Sequence, residues 1–376
     1  MAYDSDYRLA DAKAKPIKDV SDLLGISGLK RAGREWTGPC PGIGCGGRDR
    51  FSLNAAKNLF NCRICGAKGD QVHLVMFVRG VEFKAALDWL CGPKAELTPA
   101  ERAEMDRRAE ENRARQARDA AKYRADAIAA AREIWLASVP AEDTPVRDYL
   151  ALRGIPRERY PALPNCLRFH PACRYMVKGQ TGWREVHCGP AMIASIQAAD
   201  GKGTAVHRTW IDLSQPKGKA LITDPLTGEV LKSKKTLGAK KGGAIRLSGP
   251  WARSETMVMG EGIETTLSAL AAGVPAGAVY WCGIDLGNIS GARIMGQGKK
   301  YAGIPDMTDA EAFVPPEWVR DLILIQDGDS EPKSTHAKLL SGARRAMARR
   351  PGLSARIVPV PEGQDLNDVL MGASDA

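Results

Sequence analysis

Three short apolar runs near the C-terminus constrain the fold of this chain most. They occupy residues 257–259, 322–325 and 357–360, and helix-like segments at 264–272 and 337–349 separate them. Apolar runs of this length are typical of buried strands. Alternation of strand and helix predicts a parallel sheet covered on both faces, and ligands of such sheets bind at the carboxyl ends of the strands.

Acidic residues follow two of these runs. Glu261 comes shortly after the first, and Asp327 and Asp329 flank Gly328 after the second. Carboxylates gathered at one sheet edge repel each other unless a cation lies between them, and hard oxygen ligands suit Mg²⁺ or Mn²⁺. The pattern predicts a divalent metal site, and the alternative is an acidic, solvated strand end.

The order of the acidic motifs is E-G-x-E, then an apolar strand with D-G-D, then D-x-N-D. This order resembles that of the Toprim domain of bacterial-type primases and topoisomerases. The resemblance implies that Glu261, Asp327 and Asp329 are catalytic and hold the magnesium or manganese ions. It also implies that Asp365, and with it Asp368, completes the acidic set.

Four cysteines near the N-terminus have the spacing of zinc ligands. A C-x4-C pair and a C-x2-C pair are separated by sixteen residues. Two such pairs are typical of a four-cysteine zinc ribbon, whereas the alternative is four incidental thiols. Residues 50–53 and 58–61, between the pairs, are predicted to form a hairpin. The predicted zinc ligands are Cys40, Cys45, Cys62 and Cys65.

Helices are predicted at residues 17–24, 72–78 and 83–90. With these helices and the four cysteines, residues 20–92 resemble the zinc-binding domain of bacterial-type (DnaG-like) primases. Cellular primases usually have a histidine where this chain has Cys45, and cysteine is an equally good ligand. The resemblance implies one structural Zn²⁺ and contacts with a single-stranded template through stacking and charge. For each contact residue the alternative is a solvated ribbon face or a core aromatic. The implied contacts are Arg48, Arg50, Phe51 and Lys68.

A long helix is predicted after the ribbon. Thr98 and Glu101 form a capping box with Pro99 at the first helical position, and neither proline nor glycine follows until after Ser138. Large apolar residues are scarce before Ile128, so most of the helix is predicted to be a solvated spacer. Its end is expected to dock on the next domain through residues 128 and 134–136. The alternative is that its arginines bind nucleic acid.

The middle of the chain is predicted to be a mixed lobe of helix and strands. Residues 144–150 look helical, and 167–171, 189–194 and 204–212 alternate like strands. Residues 232–253 carry seven basic residues and no acidic one, and a glycine-rich basic loop can approach a phosphate backbone closely. A solvated loop is the alternative.

This region resembles the lobe that precedes Toprim in phage and plasmid primases, where a basic ridge guides the template. The resemblance implies that seven basic residues contact nucleic acid or nucleotide. They are Arg208, Lys232, Lys234, Lys235, Lys240, Lys241 and Arg246.

The predicted fold class is therefore multidomain, α/β and α+β. A zinc ribbon domain is expected over residues 1–95 and a helical linker over 96–140. A basic mixed lobe is expected over 141–250, and a Toprim domain with a parallel sheet over 251–376.

Charge and composition limit the partners. Fifty-four basic residues against forty-four acidic ones give a net charge of +10, which favours a polyanionic partner. No apolar run approaches the roughly 18 residues that span a bilayer, and the N-terminus lacks a signal-peptide core. We expect a cytoplasmic protein without a membrane partner, in which the nine cysteines serve metal binding more than disulfides.

Taken together, the resemblances imply a DNA-dependent RNA primase of a phage, plasmid or related mobile element. It would make short primers on single-stranded DNA from ribonucleoside triphosphates by metal-dependent nucleotidyl transfer. A separate replicative helicase is left open as a partner, since the chain has no G-x-x-x-x-G-K-[ST] loop. Two alternatives remain: a Toprim nuclease, and a non-catalytic accessory protein that binds single-stranded DNA.

Overall fold

The chain is described by a computed structural model that divides into two compact units, Met1–Ala117 and Arg118–Ala376. Each unit is treated by itself below. Asp329 and Asp365, two of the predicted metal ligands, lie outside the described residues, and the side chains at 102 and 105 are likewise not described. The described residues are 6–33, 35–93, 98–179, 182–273, 275–295, 299–328, 331–364 and 366–372.

The first unit is an antiparallel sheet with helices before and after it. Its five strands lie in sequence order. The strands are β1 (Lys30–Ala32), β2 (Glu35–Gly38), β3 (Phe51–Asn54), β4 (Leu59–Cys62) and β5 (Lys68–Gly69). The helices are α1 (Arg8–Ala14), α2 (Ile17–Leu23), α3 (Gln71–Arg79) and α4 (Phe83–Cys91). The predicted hairpin and the three predicted helices are confirmed.

Local sequence explains why these elements form where they do. Leu53 of β3 pairs with Phe60 of β4 across the hairpin, and both side chains are buried. Burial alternates along β4, as expected for a half-buried strand. Asp70 is the N-cap of helix α3, and its carboxylate accepts a hydrogen bond from the amide of His73. The helix ends at Gly80, which takes the left-handed conformation with φ 65°.

The long helix α5 (Pro99–Leu136) confirms the predicted connector. Both the amide and the hydroxyl of Thr98 donate to Oε2 of Glu101, at 2.9 and 2.8 Å, which is the predicted capping box. In the second unit Ile134 and Trp135 pack against a buried cluster. Leu136, however, is 66 % exposed, so its predicted docking was wrong, because it falls off the helix face that carries the other two.

The second unit begins with an antiparallel sheet of strand order β12-β9-β8-β7-β6. Its strands are β6 (Val139–Pro140), β7 (Leu167–Lys178), β8 (Trp183–Gln197), β9 (Gly203–Trp210) and β12 (Lys234–Gly238). Helix α6 (Pro145–Leu152) packs on it, and β10 (Ile222–Thr223) and β11 (Val230–Leu231) form a separate ribbon. The predicted basic loop was partly wrong, since β12 is paired along its length with β9.

The second sheet of this unit is mostly parallel, as the apolar runs predict, and its strand order is β13-β15-β14-β16-β17. Only β13, at one edge, is antiparallel to its neighbour. The strands are β13 (Ile245–Arg246), β14 (Thr256–Gly260), β15 (Val279–Cys282), β16 (Asp321–Gln326) and β17 (Ser354–Pro359). The helices are α7 (Ile263–Ala272), α8 (Leu286–Ser290), α9 (Pro332–Arg349) and α10 (Leu366–Gly372).

Both faces of the parallel sheet are covered. Met257 and Met259 of β14 pack into a cluster with Leu339 of α9. Val258, between them, points to the other face and packs with Ala269 of α7. Successive side chains of a strand face opposite sides, so a run that is apolar at every position requires a layer on each side. Among the described helices, none is both long and apolar enough to span a bilayer.

Candidate functional site

The four predicted zinc ligands come together. Their sulfur atoms all lie within 4.8 Å of one another, with Cys40 and Cys65 at 3.9 Å and Cys45 and Cys62 at 3.7 Å. Sulfurs on a tetrahedral zinc ion with bonds of about 2.3 Å stand about 3.8 Å apart. The donor set and its spacing therefore fit a structural Zn²⁺. In the described part of the chain no other group of three such ligand side chains converges.

Backbone hydrogen bonds shape the second knuckle of the ribbon. The amide of Cys62 donates to the Ala67 carbonyl at 2.7 Å, and the amide of Gly66 donates to the Cys62 carbonyl at 3.0 Å. Although burial opposes it, backbone hydrogen bonds from Cys65 and Ile64 lower the pKa of Cys62 to about 7. Burial raises the pKa of Cys40 to about 12 and also raises that of Cys65. Binding of zinc to all four thiolates would therefore release protons.

The predicted template contacts of the ribbon differ in exposure. Arg48, Arg50 and Lys68 are exposed, and Arg50 lies 3.3 Å from Asp49. Phe51 is completely buried, and its ring centroid lies 5.9 Å from that of Phe60. Base stacking on Phe51 is therefore not available in this structure, and the core alternative holds for that residue.

Glu261 and Asp327 emerge at the same edge of the parallel sheet. Glu261 directly follows β14, and Asp327 directly follows β16. Since these strands are adjacent and parallel, their carboxyl ends meet. Both acids line one cavity of about 240 Å³. The same cavity is lined by Arg153, His207, Lys219, Lys234, Glu264 and Thr265.

Contacts around Asp327 fix its position. The hydroxyl of Thr265 donates to Asp327 Oδ2 at 3.2 Å. Gly328, the next residue, donates its amide to the Gln364 carbonyl at 2.9 Å. A Cβ atom on Gly328 would lie 2.1 Å from the carbonyl oxygen of Pro361. The glycine of the D-G-D motif is therefore required by the close approach of the segment at 361–364.

Glu261 has the electrostatics of a carboxyl group that needs a cation. Burial raises its pKa, and the nearby Asp285 carboxylate raises it further, against the opposing charges of Lys338 and Lys234. A divalent ion nearby would lower the pKa of Glu261, because it favours the charged carboxylate. Hard carboxylate oxygens from Glu261 and Asp327 fit Mg²⁺ or Mn²⁺.

A buried charge cluster forms one wall of the cavity. Oε2 of Glu264 lies 2.8 Å from Nζ of Lys234, and Oε1 lies 3.4 Å from Nζ of Lys219. The hydroxyl of Tyr149 also donates to Oε1. Although burial opposes it, the two lysines hold the pKa of Glu264 well below its usual range. Glu264 thus keeps two cations beside the acidic pair.

The two lysines respond differently to this environment. At Lys234, burial lowers the pKa, but the interactions with Glu264 together have the larger effect and raise it. At Lys219, the effect of burial is larger than that of Glu264, and the pKa is lowered. The difference follows from distance, because the carboxylate is closer to Lys234. Next to them His207 is buried, and burial together with the charge of Lys234 lowers its pKa to about 4. Its imidazole is therefore neutral at pH 7.

Two of the residues that were predicted to contact nucleic acid are buried and pack inside the protein. Arg208 is 4 % exposed and Arg246 is 9 % exposed. The guanidinium of Arg208 lies 5.1 Å from the ring centroid of Trp210, and that of Arg246 lies 4.5 Å from the ring centroid of Trp281. Arg246 also donates to the Ala198 carbonyl at 2.7 Å. Neither side chain offers a surface to nucleic acid in this structure.

The other predicted basic contacts are spread over the unit. Lys235 lies over the ring of Tyr175, 4.7 Å from its centroid. Lys240 pairs with Asp285, and Lys241 lies 2.8 Å from Asp309. Lys232 is exposed. Of the seven, only Lys234 lines the cavity.

The site also contains residues to which the sequence assigned no role, and it leaves one predicted residue out. Lys219, His207 and Tyr149 belong to it. His207 and Lys219 fall in the motifs His207-Arg208-Thr209 and Gly218-Lys219-Ala220, on which the resemblance of the middle lobe rests, whereas no motif marked Tyr149. Asp368 does not line the cavity. It lies on α10 with its carboxylate 3.8 Å from Nζ of Lys217, so its predicted place in the acidic set was wrong.

Comparisons with known proteins support the zinc ribbon of the first unit. Residues 12–105 match the family model of the CHC2 zinc finger, and residues 125–247 match that of a domain of unknown function (DUF7146). No curated protein matches the chain significantly.

Solved structures that resemble the chain are similar at low identity. The Aquifex aeolicus primase (zinc-binding and RNA polymerase domains) is 13 % identical with a TM-score of 0.35, over 97 % of this chain and 82 % of that one. The primase fragment of the bacteriophage T7 primase-helicase is 14 % identical with a TM-score of 0.34, over 90 % and 95 %. A DnaG primase catalytic domain bound to single-stranded DNA is 13 % identical with a TM-score of 0.34, over 60 % and 69 %.

Proposed function

We propose that this protein is a DNA-dependent RNA primase that makes short primers on single-stranded DNA. The observation that carries the proposal is the position of Glu261 and Asp327 at the ends of adjacent parallel strands, in one cavity with Lys219 and Lys234. The match to the CHC2 zinc finger supports it independently. We also propose that the parallel-sheet domain, residues 251–376, is of the Toprim type.

Glu261 and Asp327 would hold the divalent ion, with Asp329 and Asp365 as further proposed ligands from outside the described residues. When bound, the ion supplies Lewis-acid stabilisation to the phosphoryl group being transferred. Thr265 holds the Asp327 carboxylate in place. In the proposed reaction a 3′-hydroxyl attacks the α-phosphate of the incoming ribonucleotide, and pyrophosphate leaves.

The lysines serve the leaving group in this proposal. Lys219 and Lys234 together carry two positive charges against the single charge of Glu264. That surplus faces the cavity and would neutralise phosphate oxygens of a triphosphate. His207 adds no charge at pH 7, since its pKa is about 4, but its ring nitrogens can still form hydrogen bonds.

The ribbon would hold the template. Arg48, Arg50 and Lys68 are exposed around it, and positive charge of this kind binds the phosphate backbone without reading sequence. The proposed biological setting is replication of a phage, plasmid or related element, alongside a separate helicase.

An assay of de novo primer synthesis tests the proposal. The full chain, loaded with zinc, is incubated with defined single-stranded templates, labelled ribonucleoside triphosphates and Mg²⁺ or Mn²⁺. Short labelled products are expected from the wild type and not from Asp327→Asn or Glu261→Gln. Urea unfolding transitions like that of the wild type would show that both variants are folded.

Two other outcomes would replace the proposal. Nicking of supercoiled plasmid by the wild type but not by Asp327→Asn, without any primer synthesis, would identify a nuclease that uses the same acids. Binding to single strands that is unaffected by Glu261→Gln, without synthesis with either ion, would identify an accessory protein.

A further inference from the structure

A second cavity lies in the antiparallel half of the second unit, and it shares no lining residue with the acidic cavity. It has a volume of about 360 Å³, which is within the range of small-molecule sites. Helix α5 forms one wall through Ala131, Arg132 and Trp135, and strands β8 and β9 form another. All but one of its lining residues fall within 125–247, the segment that matches a domain of unknown function.

The floor of this cavity is apolar and its side chains are small. Val206 of β9 is buried there in one cluster with Ala131 of α5, whereas the side chains of Cys166 and Ala205 belong to the cluster on the other face of the sheet. Small side chains on the floor leave room for a flat group against it.

One wall is aromatic and rigid. Trp135 lines the cavity, and the guanidinium of Arg168 lies 4.2 Å from the centroid of its ring. Arg168 also donates to the Trp135 carbonyl at 2.9 Å. The indole is therefore held before any ligand arrives, as preorganised binding requires.

Uncharged hydrogen-bonding side chains also line the cavity. Ser195, Gln197 and Asn165 all line the cavity. Oε1 of Gln197 is buried and accepts no hydrogen bond from the described residues, while the backbone of Gln197 is held by two hydrogen bonds with Ala244. A buried amide oxygen without a partner is costly, so a donor on a ligand would satisfy it.

The charge of the lining favours an anionic ligand. Arg132 lies at the exposed rim, and among the described residues no aspartate or glutamate lines the cavity. A flat apolar floor, an aromatic wall, amide and hydroxyl groups at the edge and one guanidinium match a nucleobase that carries a phosphate. Amides recognise base edges, aromatic rings contact base faces, and guanidinium groups bind phosphate.

We propose that this cavity is a nucleobase-binding site, separate from the acidic cavity. The base could belong to a free ribonucleotide or to a single-stranded nucleic acid. The inference does not rest on the proposed primase activity, because it uses none of the acids or lysines assigned to that reaction.

Photocrosslinking of the full chain tests the site. The free probes are 5-iodouridine monophosphate and 8-azidoadenosine monophosphate. The strand probes are single-stranded oligonucleotides of about six nucleotides with one base of either kind, a length within the usual single-strand site size. Mass spectrometry of the digested protein reports the labelled peptide, and attachment is expected on the peptide that contains Trp135.

Two variants block the cavity in different ways. Gly203 lines it with an ordinary φ, and a Cβ there would meet only the Ser195 hydroxyl, at 3.4 Å. Gly203→Phe therefore fills the space without backbone strain, and Gln197→Met removes the buried amide at nearly constant volume. Leu226→Phe is the control, since Leu226 is exposed in a turn outside the cavity.

Labelling of the Trp135 peptide is expected to fall about tenfold in Gly203→Phe and severalfold in Gln197→Met, the size expected for one stacked base, and to be unchanged in Leu226→Phe. Labelling by the free probes alone assigns the site to ribonucleotides, and labelling by the oligonucleotides alone assigns it to a strand. The absence of labelling with all four probes, or labelling that neither cavity variant reduces, would overturn the proposal.

Discussion

Nζ of Lys234 lies 2.8 Å from Oε2 of Glu264, and Glu264 is almost completely withdrawn from solvent. Lys234 is on β12, at the edge of the antiparallel sheet, and Glu264 is in the first turn of α7, beside the parallel sheet. This pair, with Lys219, therefore joins the two sheets of the second unit next to the acidic pair. A buried pair that loses one partner leaves an uncompensated charge.

Glu264→Gln is expected to destabilise the protein by about 3 kcal/mol, because two lysines lose their counter-charge in a buried site. Urea unfolding followed by fluorescence measures the change. Lys234→Met should also destabilise, and the double variant should lose less than the sum of the two. Additive losses would show that the pair does not interact energetically.

The contribution of Glu264 to stability should depend on pH. Its pKa is held well below the ordinary value in the folded protein, so the stabilisation is complete above the unfolded pKa of about 4.3 and is lost as the pH falls toward the folded pKa. The difference in unfolding free energy between wild type and Glu264→Gln should therefore shrink below about pH 4.3. A difference that stays constant through that range would contradict the assignment.

As the pH falls, His207 should begin to reduce the stability of the folded protein before the carboxyl groups do. Its pKa is about 4 in the folded protein against an ordinary 6.5, so the unfolded chain binds the proton first as the pH falls. Stability should decline between pH 6.5 and 4 by up to about 3 kcal/mol from this group. His207→Gln should lack that part of the decline, which unfolding measured across the window would detect.

Gly328→Ala should impair primer synthesis although it removes no acid. A Cβ at this position would collide with the carbonyl of Pro361 at 2.1 Å, so the residue next to Asp327 must move. We expect a loss of about tenfold or more in synthesis, since catalysis depends steeply on the placement of groups. Gly372→Ala is the matched control, because no atom of the described residues lies within 4 Å of a Cβ there. Equal activity of both variants would mean that the position of Asp327 is not critical.

Removal of zinc should unfold the ribbon. Cys62 is part of the buried core of the first unit together with Phe51 and Phe60, and four thiolates brought together without a metal repel each other. With a chelator, or in Cys62→Ser, amides of residues 30–69 should lose protection in hydrogen exchange. Strands β14 and β16 provide the internal control. Protection of residues 30–69 that persists without metal would show that the hydrophobic core of the first unit is enough to keep the ribbon folded.

Much of the architecture could be predicted from local patterns. The apolar runs at 257–259 and 322–325 placed β14 and β16 because a strand buried on both faces is apolar at each position. Strand β15 (Val279–Cys282) was missed, although its four residues are all buried, because no motif marked it. The cysteine spacing sufficed for the zinc ligands, since a tetrahedral site needs two tight knuckles.

The sequence by itself determined the cysteine knuckles, the long helix and the strands that end at Glu261 and Asp327, because each depends on residues close together in the chain. Only the tertiary structure decided which cations face those acids. Lys234 and Lys235 are neighbours, yet one contacts Glu264 and the other the ring of Tyr175, since adjacent side chains of a strand point to opposite faces. Which face meets the acids depends on how β12 pairs with β9, and that register is set by contacts far apart in sequence.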